Sequence, residues 1–329
     1  MRRRFFLWLI PAAAAAQQKL AFVKPRVPVK PQIFSLAYRP DGALLALGGY
    51  QEVRLADPVS GNVTANLPGH AEVVRAVAFS ADGKRLAAGG GIPGKRGEVK
   101  IWDVDARKPL AEIQGHGDCI YAVAFSPDGL MVATSSYDKV IKLWDASSGK
   151  ELRTLKDHID AIYALAFIPG GARLVSGGAD RTVKIWNVAS GERLYTLGDP
   201  VDGVNAIALD PAGKKVAAGG LDKTIRIWAL GEKGGELLHT LIAHEDAILQ
   251  LAWSPDGKTL LSSAADRTIK VFDAAELTEK QSVPNQSDWV LALRFCPLGK
   301  RFAAGRYDGS LTIYELGQVL SPQPKIATR

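Results

Sequence analysis

Short runs in which apolar and polar residues alternate, each closed by proline, glycine or aspartate, recur along the whole chain. A period of two over so few residues predicts β-strands with one buried face. The run VAFSPDG at residues 123–129 has six relatives: LAYRPDG at 36–42, VAFSADG at 77–83, LAFIPGG at 165–171, IALDPAG at 207–213, LAWSPDG at 251–257 and LRFCPLG at 293–299. Their last glycines lie 41, 46, 42, 42, 44 and 42 residues apart, so the pattern is one unit repeated seven times.

Each unit reads as four strands joined by three turns. The alternating run before the Pro-Asp-Gly turn is the first, and proline and glycine supply the backbone angles that the turn needs. A small-residue strand such as LVSG at 174–177 follows, then TVKIW at 182–186, then ERLYTL at 192–197. A sheet this small cannot cover both of its faces alone, so neighbouring units must stack to make a core. The two long intervals predict enlarged loops at 91–98 and 231–236.

Composition agrees with a folded chain: 329 residues, 47% hydrophobic and 23% charged, are enough for a large core. At about 150 residues per domain that length suggests two domains, but a tandem array overrides the estimate. Net charge is +7, with three of the positives at Arg2, Arg3 and Arg4, so nothing points to a nucleic-acid partner. Cys119 and Cys296 are the only cysteines, which excludes a disulfide framework and a four-cysteine zinc site.

Residues 1–16 have a basic start, an apolar stretch and a run of alanines before Gln17, the layout of a secretory signal peptide. The apolar stretch is well short of the roughly 20 residues that span a bilayer, so no stable membrane span is expected. Export to the periplasm or the medium is the expectation, with a cytoplasmic N-terminus as the alternative.

With Gly69-His70, Gly115-His116, Ile101-Trp102-Asp103, Leu143-Trp144-Asp145, Ile185-Trp186-Asn187 and Ile227-Trp228 in register, residues 20 to 318 resemble the WD40 repeat family. The resemblance implies an all-β chain: a seven-bladed WD40 β-propeller of four-stranded antiparallel blades over 17–320, followed by a flexible tail at 321–329. Only six fourth strands lie between repeats. The family commonly closes its ring by overlapping the chain ends, so residues 20–27 are the expected seventh strand, ahead of 316–320.

His70, His116, His158 and His244 all stand 13 residues before a turn glycine, which argues for architecture. In the family this histidine bonds a strand hydroxyl and an aspartate, and the bonding continues to the tryptophan. Complete sets are Thr134, His116, Asp138 and Trp144, and Ser176, His158, Asp180 and Trp186. Their recurrence speaks against a unique Ser-His-Asp nucleophile. Elsewhere the set has decayed: Pro200 and Gln286 replace the histidine, Ala218 and Ala304 the hydroxyl, and Phe272 and Tyr314 the tryptophan. Ala56 and Arg96 stand where a tryptophan and an aspartate would fall, and Asp222 and Asp308 are expected to cap backbone amides instead.

His239 has no second ligand at useful spacing, so no metal or cofactor is expected. Function then falls to positions where the copies differ. Five residues after the histidine point come Phe34, Arg75, Tyr121, Tyr163, Asn205, Leu249 and Leu291. Cys119 and Trp289 lie three after it, while Tyr137 and Tyr307 precede the aspartate position. In the family the loops that carry these positions surround one end of the central channel, so the resemblance implies that, with Tyr50 and with Lys95 and Arg96 in the enlarged loop, they form a channel-mouth face. The expected function is a monomeric, non-catalytic scaffold that binds a protein or peptide there, with an acidic segment opposite Arg75, Lys95 and Arg96. A propeller hydrolase or lyase and a glycan-binding propeller are the alternatives.

Overall fold

The computed structural model describes residues 31–319, and every strand pairing among them is antiparallel. The third unit shows the pattern: Ile120–Phe125, Met131–Ser136, Val140–Asp145 and Glu151–Lys156 lie side by side in chain order. Its first turn closes on side chains as well as backbone. Gly129 N donates to Ser126 O at 2.8 Å, and Asp128 Oδ1 accepts Leu130 N at 2.9 Å and the Ser126 hydroxyl at 2.5 Å. Gly129 sits at φ +71°, where a side chain would be strained. The fourth, fifth and sixth units repeat the four-strand order.

The first two units form one seven-stranded sheet because Val63–Phe79 is continuous. Its first part pairs with Tyr50–Ala56 and its last part with Arg85–Ile92, so it is the outer strand of one unit and the inner strand of the next.

The enlarged loop expected at 91–98 is a longer hairpin instead. Pairing runs on through Gly91 with Gly97 and Ile92 with Arg96, leaving a tight turn in which Lys95 N donates to Ile92 O at 3.1 Å. Glycine permits this: a Cβ at Gly91 would stand 2.2 Å from Arg96 O. The other insertion shrinks to a short turn closed by Gly231 N on Gly234 O, because Gly235–Ile242 pairs up to Leu230.

The last unit has three described strands, Val290–Phe295, Arg301–Arg306 and Leu311–Glu315. Residues 20–27 lie outside the described residues, as do 1–16 and 321–329. The alternative closing stretch begins as a helical turn, Leu316–Val319, so in its described part it adds no strand.

The core lies between units rather than within them. Trp186 of the fourth unit packs among Ile141, Leu143 and Leu155 of the third, and Trp144 packs likewise among Val99, Ile101 and Ile113 of the second. Ile33, Leu36 and Leu45 of the first unit share a cluster with Ala292, Cys296 and Ala303 of the last. Ile33 N also donates to Arg306 O at 3.1 Å. Burying a side chain such as Trp186, Leu36 or Leu45, each 2% exposed or less, supplies about 1.5–3 kcal/mol.

Candidate functional site

Three hydroxyl-histidine-aspartate sets are formed as the repeat demands. His116 Nδ1 lies 2.8 Å from Asp138 Oδ2 and its Nε2 lies 2.7 Å from Thr134 Oγ1, which also accepts Trp144 Nε1–H at 2.8 Å. The second set has His158 at 2.7 Å from both Asp180 and Ser176, with Trp186 Nε1 donating to Ser176 Oγ at 2.8 Å. In the sixth unit His244 reaches Asp266 at 2.9 Å and Ser262 at 2.6 Å, with Phe272 in the tryptophan place. Burial disfavours the charge on Asp180, but the bonds from His158 and Thr182 outweigh it and hold its pKa down to about 2. Thr134, Ser176 and Ser262 are all fully buried, so no substrate carbonyl can reach these hydroxyls.

Where a set had looked decayed, the structure rebuilds it with other residues. Arg96 is exposed at the hairpin, and the missing carboxylate is Glu98: its Oε1 accepts Ala71 N at 2.7 Å and lies 3.2 Å from His70 Nδ1. Two further residues along the lengthened hairpin, the longer side chain recovers the reach of an aspartate. Asp222 caps Thr224 N and Val201 N as expected, but its Oδ2 also binds Arg226 Nη1 at 2.5 Å. In the last unit Gln286 Oε1 accepts from the buried Arg306 guanidinium and from Tyr314 OH, while Arg306 Nη1 donates to Thr312 Oγ1 at 2.9 Å. Asp308 caps Ser310 N at 2.8 Å and takes the Ser287 hydroxyl at 2.5 Å.

The position five after the histidine point has a structural cause for its prominence. In six units the first strand carries a register shift on that residue: Arg75, Tyr121, Tyr163, Asn205, Leu249 and Leu291 are each skipped by the neighbouring strand. These are β-bulges, and the extra residue of a bulge is free to be re-aimed. Together with Phe34, the equivalent residue of the first unit, all six line one cavity of about 460 Å³, which Gln250, Trp289 and Tyr307 complete.

The aromatic residues there touch one another. The Tyr121 and Tyr163 rings cross edge to face at 5.1 Å, Tyr137 lies 6.3 Å from Tyr121, and the Arg75 guanidinium lies over Tyr121 at 4.9 Å. Tyr307 meets Phe34 at 6.1 Å and Trp289 at 6.4 Å. Burial raises the Tyr121 and Tyr163 pKa values, so both phenols remain donors at neutral pH. A half-buried aromatic rim with polar tips offers flat apolar contact and hydrogen bonds together.

Not every expected residue joins it. Tyr137 flanks the cavity, and Tyr50, Lys95 and Arg96 do not line it. Gly94 N beside the two cations donates to Asp118 Oδ1 at 2.9 Å, so an acidic group stands there that the linear sequence did not suggest. Cys119 is buried, donating to Gly91 O at 3.3 Å, and contributes no mouth surface. Gln250 was missed; its signal was that it replaces the alanine found at 122, 164 and 292. Among the described residues no group of three His, Cys, Asp or Glu side chains could hold a metal, and no helix is long and apolar enough to cross a membrane.

A 67-residue stretch is 39% identical to the Danio rerio protein named Intraflagellar transport protein 122 homolog, and 36% identical to its Xenopus tropicalis namesake. Each match covers 20% of this chain and 6% of the relative, so the chain spans only a small part of those relatives' length. The family description "WD domain, G-beta repeat" matches at 61–103, 107–145, 149–187, 191–229, 235–273 and 278–315, each frame running from one unit's outer strand to the next unit's third strand. With six such stretches covering well over half its length, the chain belongs to the WD40 repeat family.

Proposed function

We propose that this chain is a seven-bladed β-propeller, its ring closed by residues 20–27 as the fourth strand of the last blade, and that it is a non-catalytic scaffold holding a protein or peptide at the aromatic mouth. WD40 repeat proteins are generally scaffolds of this kind and mediate contacts between proteins. The observation that carries the reading is convergence: one residue position, taken from all seven units, lines one cavity. The cluster joining the first unit to the last supports the ring. Export under the direction of residues 1–16 belongs to the same proposal.

The test is partner capture from the native envelope fraction, comparing the wild type with the Tyr121→Ala, Tyr163→Ala double variant. Partners held by the wild type should be lost from the variant while its melting temperature stays within a few degrees. Retention by the double variant, with loss on Lys233→Glu and Lys258→Glu instead, would move the binding face to the opposite end of the ring.

A further inference from the structure

Below the rim lies a second, smaller cavity of about 100 Å³, lined by residues of the first strands of all seven units, Arg75 and Arg294 among them. Arg294 departs from its repeat: the same position holds Ala37, Ala78, Ala124, Ala166, Ala208 and Ala252 in the other units. Six alanines show that the fold does not require a long side chain there. Arg294 lies three residues beyond Leu291, about 10 Å deeper along the strand. Its Nη1 donates to Gln250 Oε1 at 3.1 Å and to Leu293 O at 2.9 Å, which brings the guanidinium beside the Gln250 side chain.

Arg75 is also unmatched. Among the described residues neither guanidinium forms a salt bridge, and Arg75 Nε is buried with no hydrogen-bond partner. No aspartate or glutamate lines either cavity. Arg294 is exposed and Arg75 half-buried, so a ligand that enters the cavity can reach both guanidinium groups. Two arginines lining one cavity without a carboxylate attract an anion, and the fork of a guanidinium matches a carboxylate.

We propose that the inner cavity receives a carboxylate: an aspartate or glutamate side chain of the bound peptide passes the Tyr121 and Tyr163 rings, meeting Arg75 near the rim and Arg294 below it. This rests on the peptide-docking reading above and names the chemistry of what docks. A free anion would leave the aromatic rim unused, whereas residues flanking a peptide carboxylate would pack on it.

The full chain should be titrated with three pools of blocked nonapeptides, randomised except for a central Glu, Gln or phosphoserine. The Glu pool should bind about tenfold more tightly than the Gln pool. Arg294→Ala, which installs the residue of the other six repeats, should reduce that ratio to below about twofold without changing the melting temperature, and Arg75→Gln should do the same. Equal binding of the Glu and Gln pools, or a preference that survives both variants, would overturn the carboxylate receptor and leave the docking face standing. Dominance of the phosphoserine pool would overturn it in favour of a phosphoryl group. Binding of no pool would overturn the docking reading and this one with it.

Discussion

His70 and Glu98 meet at 3.2 Å through Nδ1 and Oε1, both side chains buried, in a unit that has alanine where three others have serine or threonine. Ala88 pairs with Lys100 as Thr134 pairs with Lys142 and Ser176 with Lys184, so the missing hydroxyl belongs at residue 88. Its loss strands two groups at once: His70 Nε2 and Trp102 Nε1 are buried without a partner.

Ala88→Ser should therefore stabilise the protein. One hydroxyl at the place taken by Ser176 would satisfy both orphaned nitrogens, a gain of about 1 kcal/mol, seen as a rise in melting temperature of about 2 °C. A lower melting temperature for Ala88→Ser would show that the histidine and tryptophan do not face this position.

Acid should destabilise the fold through the buried carboxylates. Asp180 titrates near 2 in the folded chain against 3.8 when unfolded, so its contribution is complete above pH 4 and disappears as pH falls through 2. That contribution is about 2 kcal/mol. Burial also lowers the His244 pKa despite Asp266 beside it, so stability starts to fall once pH drops below 6.5. Urea unfolding of Asp180→Asn from pH 7 to 2 should show a lower limb smaller by about 2 kcal/mol, since Asp138 and Asp266 still titrate there, and should keep the upper limb unchanged.

Asp180→Ala should cost about 1–3 kcal/mol, because His158 and Thr182 lose a buried acceptor. Asp308→Ala should cost less, since Asp308 is exposed and water can replace it. Arg306→Met, by contrast, should cost about 2–3 kcal/mol by unpairing Gln286 and Thr312 in the interior of the last unit. Chemical denaturation of the three variants ranks them, and an Asp308→Ala loss equal to that of Asp180→Ala would refute the order.

Deletion of residues 20–27 should leave Leu311–Glu315 with an unpaired edge, a template for intermolecular pairing. Light scattering should show aggregation of the shortened chain under conditions where the intact chain stays clear. An unchanged solubility and melting temperature would assign the closing strand elsewhere.

The strands, turns and polar sets were legible because each is written locally: alternation, Pro-Asp-Gly and a histidine at fixed spacing. Glu98, Arg226 and Arg306 were not, because each reaches its partner only through strand pairing. Glu98 in particular depends on a hairpin whose glycines look like loop in the linear sequence. The mouth positions could be aligned by counting, yet the bulge beneath them could not, since it exists only as a mismatch with the neighbouring strand. Arg294 passed as one more member of a repeat copy in the linear sequence, and its departure from six alanines gained meaning only once the first strands were seen to share a cavity.

The bulge has a consequence for how such a chain changes over time. A residue that its neighbouring strand skips is left out of the ladder, so replacing it disturbs no register and empties no core. Tyr163 and Asn205 differ in size, polarity and shape at the same place in adjacent units whose first strands carry the same register shift. The residue facing the cavity and the residues that hold the sheet together are thus different members of one strand, so mutation can rewrite the cavity lining while the fold stays unchanged.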